Sequence, residues 1–271
     1  MPEARSGPVT VPEIRARKRK AGAEPIVMVT AYDTPGARIA DAAGVDIILI
    51  GDSVANNVLG YEDTLQVTID DMVHHTAAVA RAKPRALVVA DLPWMSYHLD
   101  PADTVRNGAA LIRAGAHAVK LEGGTIRVPM IEALISAQIP VMGHLGLTPQ
   151  SVNAMGGYRV QGRGEAGKKL STDAWALAGA GCFAVVLEGI PAPLGAAISE
   201  DQEIPTIGIG AGAGCDGQVL VFHDLLGLNS GKAPKFVRRY ADLAGEATAA
   251  IAAYAADVRS GAFPGEGEVY S

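Results

Sequence analysis

The sequence has little of what commits a chain to a disulfide scaffold, a membrane or a nucleic acid. Its two cysteines, Cys182 and Cys215, are too few for a disulfide framework and lack metal-ligand spacing. Both read as buried or incidental thiols, and a reducing cytoplasm is the expected compartment. No apolar run approaches the ~18 residues of a membrane span, and residues 1–20 lack the apolar core of a secretion signal. Positive charge is not in excess. The formal net charge of −6 argues against nucleic acid as the main partner. The one basic run, Arg15-Ala16-Arg17-Lys18-Arg19-Lys20, reads as a solvated helix face. Thr10 can cap that helix, Pro12 is tolerated in its first turn, and Glu13 stands three residues after the cap. There is no internal repeat beyond a β-α alternation, and no interdomain linker.

What is present suits one large domain. The chain has 271 residues, 49% of them hydrophobic and 19% charged, enough for a sizeable core. The stretch Ile47-Ile48-Leu49-Ile50-Gly51-Asp52-Ser53 organises the rest. Its aliphatic run is too short for a helix and reads as a strand buried on both faces. An acid and a hydroxyl follow at once. The same ending recurs: 87–90 runs into Asp91, 118–121 into Glu122, 141–143 into His144 and 183–187 into Glu188. α/β folds place their chemistry at the C-terminal rim of such strands.

The spacing predicts strands at 26–30, 47–50, 87–90, 118–121, 141–145, 183–187, 206–209 and 218–222, with helices between them. Six glycines and little apolar periodicity mark 146–167 as a functional loop without regular structure. The alanine-rich tail, 234–259, reads as one or two closing helices. The expected fold is a (β/α)8 TIM barrel over residues 1–271. A leader and N-terminal helix would occupy 1–24, and C-terminal helices and a tail 234–271. A doubly wound sheet would cluster its polar endings near one switch point, whereas here five strands contribute.

Neighbouring strands lie about 5 Å apart, so Asp52, Asp91 and Glu122 can converge. Like charges there raise one another's pKa unless a cation intervenes, and an all-oxygen set suits Mg²⁺. Lys120, two residues before Glu122, faces the same side of its strand. With a divalent ion the set is formally neutral and can accept a substrate anion. Each residue also has a duller role. Asp52 and Asp91 fit as helix caps or turn residues, His144 as a satisfied structural histidine or a substrate contact, and Glu188 as a rim glutamate in water or a partly desolvated base. Two glycine motifs fall short. Gly162 to Lys169 lacks the Ser/Thr and the preceding strand of a phosphate loop. Gly208, Gly210 and Gly212 open no obvious helix, so close backbone approach is the expected role.

Several segments carry a resemblance: Thr30-Ala31-Tyr32-Asp33, Gly51-Asp52-Ser53, Val89-Ala90-Asp91-Leu92-Pro93 with Ser96-Tyr97, and Ala118-Val119-Lys120-Leu121-Glu122-Gly123-Gly124. Gly143-His144-Leu145-Gly146-Leu147-Thr148-Pro149-Gln150-Ser151-Val152 and Gly156-Gly157-Tyr158-Arg159-Val160-Gln161-Gly162 continue it. Pro205 to Gly212 and Cys215 to Val219 complete it. In order along the chain, these resemble the 3-methyl-2-oxobutanoate (ketopantoate) hydroxymethyltransferase family. The resemblance implies Mg²⁺ on Asp52, Asp91 and Glu122, a 2-oxo acid against Asp52, Ser53, Asp91 and Lys120, and Glu188 as proton acceptor. It also implies 5,10-methylenetetrahydrofolate as one-carbon donor, a place in pantothenate biosynthesis, and a homodecamer. His144 is added as a candidate substrate contact. Trp94, where phenylalanine is more usual, and Ala55-Asn56-Asn57 after Ser53 depart from the family pattern near the site. No stacking aromatic pair marks a pterin pocket, and the loop 156–167 is the candidate. The alternatives are another Mg²⁺-dependent 2-oxo acid lyase or mutase on this barrel, and a binding protein without turnover.

Overall fold

The structure, a computed structural model, describes residues 7–18, 24–229, 231 and 233–270. The chain divides into two compact units, 1–221 and 222–271. In the first, β1 (Ile26–Thr30), β2 (Ile47–Ile50), β3 (Leu87–Asp91), β4 (Ala118–Glu122), β5 (Val141–Gly146), β6 (Ala184–Glu188), β7 (Thr206–Ile209) and β8 (Gly217–Leu220) close a parallel barrel in sequence order. Helices α2 (Thr34–Ala42), α3 (Ile69–Ala80), α4 (Pro101–Arg113), α5 (Val128–Ser136), α7 (Glu165–Gly179) and α8 (Ala192–Asp201) alternate with the strands. Short α1 (Val11–Ala16) precedes them, and the single helical turn α6 (Val152–Met155) follows β5. The expected (β/α)8 barrel is the observed fold.

Alternation along each strand decides what fills the barrel. Ile26, Met28, Ile47, Leu49, Leu87, Val89, Ala118, Met142, Ala184, Val186, Ile207, Ile209 and Val219 belong to one buried cluster. Continued by steps of two, the same faces carry Asp91 on β3, Lys120 and Glu122 on β4, His144 on β5 and Glu188 on β6. The barrel is therefore packed with hydrocarbon below and capped by a polar layer at its C-terminal end. Strand pairing matches that layer across neighbours: Asp91 lies beside Lys120, Glu122 beside His144, and Gly146 beside Glu188.

Several local expectations are corrected. Asp91, Glu122 and Glu188 are the last residues of their strands rather than the first beyond them, because pairing continues through them. β8 stops at Leu220, since Phe222–Leu226 forms a helix, α9. The stretch 146–167 is not structureless. Pro149–Ser151 makes a 3₁₀ turn and α6 follows, ended by Gly156 at φ 66°, a left-handed value that glycine adopts without strain. In the second unit, the expected helix over 234–259 begins only at Leu243. Asp242 caps α10 (Leu243–Ser260) by accepting the Gly245 N–H. The Thr10–Glu13 capping box forms as expected, but α1 ends at Ala16. Arg17 and Lys18 are not a solvated face. They pair with Asp46 and Asp216, just before β2 and β8. Arg19 and Lys20 lie outside the described residues.

Candidate active site

The polar layer places most of the predicted residues in one buried group. Asp52, Asp91, Lys120, Glu122 and His144 are each at most 4% exposed. Asp52 reaches the group differently from the rest. β2 ends at Ile50, and the turn after Gly51 sets the Asp52 N–H against Asp91 Oδ2 at 3.0 Å. Asp91 Oδ1 lies 2.8 Å from Lys120 Nζ. Glu122 Oε1 is 3.3 Å from His144 Nδ1, and His144 Nε2 is 3.2 Å from Glu188 Oε2. Lys120 Nζ is also 3.4 Å from His144 Nδ1. Glu188, with a side chain 16% exposed, is the member that meets solvent.

The electrostatics of the group are strained. Burial first, then the Asp91 and Glu122 carboxylates, push the Asp52 pKa up to about 8, against the pull of Lys120 and a hydrogen bond from Gln150. Burial works against the charge on Lys120, but Asp91, Glu122 and Asp52 outweigh it and hold its pKa above the ordinary lysine range. For His144, burial and Lys120 oppose protonation. The Glu122 and Glu188 carboxylates prevail and raise it to about 9. The carboxyl groups of Asp52, Asp91, Glu122 and Glu188 outnumber the two cationic side chains, Lys120 and His144, and a further cation relieves the excess.

The donor set fits such an ion. Carboxylate oxygens suit a hard cation such as Mg²⁺, which keeps positions for water and substrate. Asp91 Oδ1 is buried and makes no aligned hydrogen bond among the described residues, only its ion pair. No group of three His, Cys, Asp or Glu side chains among the described residues forms a ready-made metal cluster. The fit rests on charge and donor type.

Ser53 follows Asp52 and joins Tyr32, whose pKa is raised by burial and further by the Asp52 and Asp91 carboxylates. The Ser53 Oγ is 2.8 Å from the Tyr32 hydroxyl. Tyr158 is also drawn into the field of the site. Burial raises its pKa, and the Asp63, Asp52, Glu188 and Glu122 carboxylates add to the rise. The two glycine motifs prove to be packing devices. A Cβ on Gly162 would meet Leu194 and Leu170 at 2.6 and 2.7 Å, and one on Gly212 would meet Ala192 at 2.5 Å. Gln150 and Tyr97 gained no role from the sequence, although both lie in the segments that carry the resemblance. Both are buried; Gln150 donates to the Asp52 and Glu122 carboxylates, and the Tyr97 oxygen accepts the Glu122 backbone N–H. The available signal was a polar residue directly after Pro149, on the loop that leaves β5.

The family described as ketopantoate hydroxymethyltransferase matches residues 8–266. A 3-methyl-2-oxobutanoate hydroxymethyltransferase of Methylobacterium sp. (strain 4-46) is 58% identical over 263 residues, covering 97% of this chain and 91% of that protein. One from Moorella thermoacetica is 56% identical over 258 residues, covering 94% and 95%. Among solved structures, a 2,3-dimethylmalate lyase of the PEP mutase/isocitrate lyase superfamily has a TM-score of 0.61 at 20% identity, over 93% of this chain and 89% of that one. A phosphonopyruvate hydrolase in complex with oxalate and Mg²⁺ has a TM-score of 0.61 at 13% identity, over 97% and 92%. The two structures share the fold with this chain.

Proposed function

This chain belongs to the ketopantoate hydroxymethyltransferase family and is a transferase enzyme, and we propose that it moves a hydroxymethyl group from 5,10-methylenetetrahydrofolate to 3-methyl-2-oxobutanoate. The observation that carries the reading is the buried group Asp52, Asp91, Lys120, Glu122, His144 and Glu188 at the barrel's C-terminal end, on a chain over half identical to relatives bearing that name. Asp52, Asp91 and Glu122 would hold Mg²⁺, which when bound supplies Lewis-acid polarisation of the substrate carbonyl.

The chain's own residues do the rest. The ammonium of Lys120, fixed against Asp91, attracts the substrate's carboxylate and steadies charge on its keto oxygen. Asp52, Ser53 and Asp91 bound the same substrate. Glu188, at the solvent edge of the group, takes the C3 proton, and the resulting carbon nucleophile attacks the one-carbon unit; one water supplies the hydroxyl oxygen, and tetrahydrofolate leaves with its carbon–nitrogen bonds to that unit broken. His144, between Glu122 and Glu188, contacts the substrate from the far side. The folate lies along the loop 156–167, whose Tyr158 stands in the field of the acids.

The wider setting is carried with this reading: a cytoplasmic step of pantothenate biosynthesis, one barrel domain over 1–271, and a homodecamer. No described helix is long and apolar enough to cross a membrane. On α10, Ile251, Tyr254 and Val258 are 67%, 55% and 46% exposed along one helix face, a surface suited to a second subunit. The test is C3 deuterium exchange in 3-methyl-2-oxobutanoate. Exchange should require Mg²⁺ but not folate, and product should appear only when the folate is added. Cleavage or rearrangement of the 2-oxo acid without folate would favour a lyase or mutase instead.

A further inference from the structure

We propose that Gln150 and Tyr97 are positioning residues that set the Asp52 and Glu122 carboxylates for the divalent cation. The proposal rests on the metal reading above. Gln150 Nε2 donates to Asp52 Oδ2 at 2.9 Å and to the Leu92 carbonyl at 3.0 Å. Its Oε1 accepts from the Tyr97 hydroxyl at 2.6 Å. The Tyr97 oxygen in turn accepts the Glu122 N–H at 3.1 Å, and the Gln150 N–H donates to Glu122 Oε2 at 3.0 Å. Both Gln150 and Tyr97 are buried.

This circuit has a single proton assignment. Two acceptors, a carboxylate and a carbonyl, face one end of the Gln150 amide, so that end is the NH₂. The Tyr97 oxygen already accepts from a backbone N–H, so its own hydrogen points to Oε1. Nothing in the ring can turn without leaving a buried group unpaired, which costs more than the bond itself contributes. Asp52 Oδ2 is thereby held by the Gln150 side chain and Glu122 Oε2 by the Gln150 backbone N–H, while Glu122 Oε1 faces His144. Groups that orient metal-ligating carboxylates in this way change affinity without touching the ion. Gln150 also ties the loop after β5 to the acid that follows β2 and the one that ends β4, and Tyr97 ties in the loop after β3.

The probe is Mn²⁺, followed by the loss of its free-ion EPR signal on titration into the full chain. Gln150→Leu should weaken Mn²⁺ binding roughly 10–100-fold. Tyr97→Phe removes one hydroxyl and should weaken it roughly three- to tenfold, with far-UV CD and Tm close to the parent. A parent that binds no Mn²⁺ overturns the metal reading and this proposal together. A parent that binds, with folded Gln150→Leu and Tyr97→Phe both within twofold of it, overturns this proposal alone. Lower Tm with unchanged Mn²⁺ affinity would make the pair structural only, and also overturns it.

Discussion

The two ends of the barrel use the same residue types to opposite effect. At the N-terminal end, Asp46 pairs with Arg17 and accepts the Val27 N–H at 2.8 Å. Asp216 pairs with Lys18 at 2.8 Å and accepts the Thr206 N–H and hydroxyl at 2.8 and 3.0 Å. Each buried acid there has its own cation and its own backbone donor. At the C-terminal end, Asp52, Asp91 and Glu122 share Lys120, and Asp52 is pushed up to about 8 by burial and by its neighbours. Acids that are fully paired hold strands together. Acids left in excess wait for a ligand, and that difference separates a structural end from a chemical one.

Substitutions at each end should separate the two roles. The largest effect belongs to the proposed base: Glu188→Gln should slow C3 exchange in D₂O by about 10³-fold with little change in Tm. Parent-rate exchange in that variant would remove Glu188 from the mechanism. At the other end, Asp216→Ala should cost about 3 kcal/mol, because it strands Lys18 and the Thr206 donors, while kcat of the folded enzyme stays near the parent value. A matching loss of kcat at full stability would erase the distinction between the ends.

Mg²⁺ should repair only the C-terminal end. At 100 times its Kd it should add about 2.7 kcal/mol of stability, seen as a rise in Tm. Asp52→Asn should abolish that rise and Asp216→Ala should keep it. The smallest effect concerns the two thiols, which immediately precede Phe183 and Asp216 near the N-terminal end. Burial pushes Cys182 up to about 12 and also raises Cys215. A thiol reagent such as DTNB should label neither in the native protein at pH 8. Prompt labelling would show that this end opens readily.

Much of this was legible in the chain. Most strands announce themselves as short apolar runs, β2, β3 and β6 most plainly, and each predicted strand lies within two residues of the observed one. The convergence of Asp91, Lys120, Glu122, His144 and Glu188 was legible for the same reason, since an alternation of two carries the core face of each strand onto its last polar residue. The partners of Arg17 and Lys18 were not legible, because a basic run looks alike whether it meets water or a distant acid. Nor was the role of Gln150, which meets Asp52 across 98 residues of chain.

What the amino-acid order determined by itself was which side chains arrive at the rim, because strand periodicity is a local property of the backbone. Which of those charges find a partner was settled by the folded chain. That depends on the closure of β1 against β8 and on where the loops after β3 and β5 come to rest. A charge is neutralised best by a partner in direct contact, and such contacts between distant segments exist only once the barrel has closed.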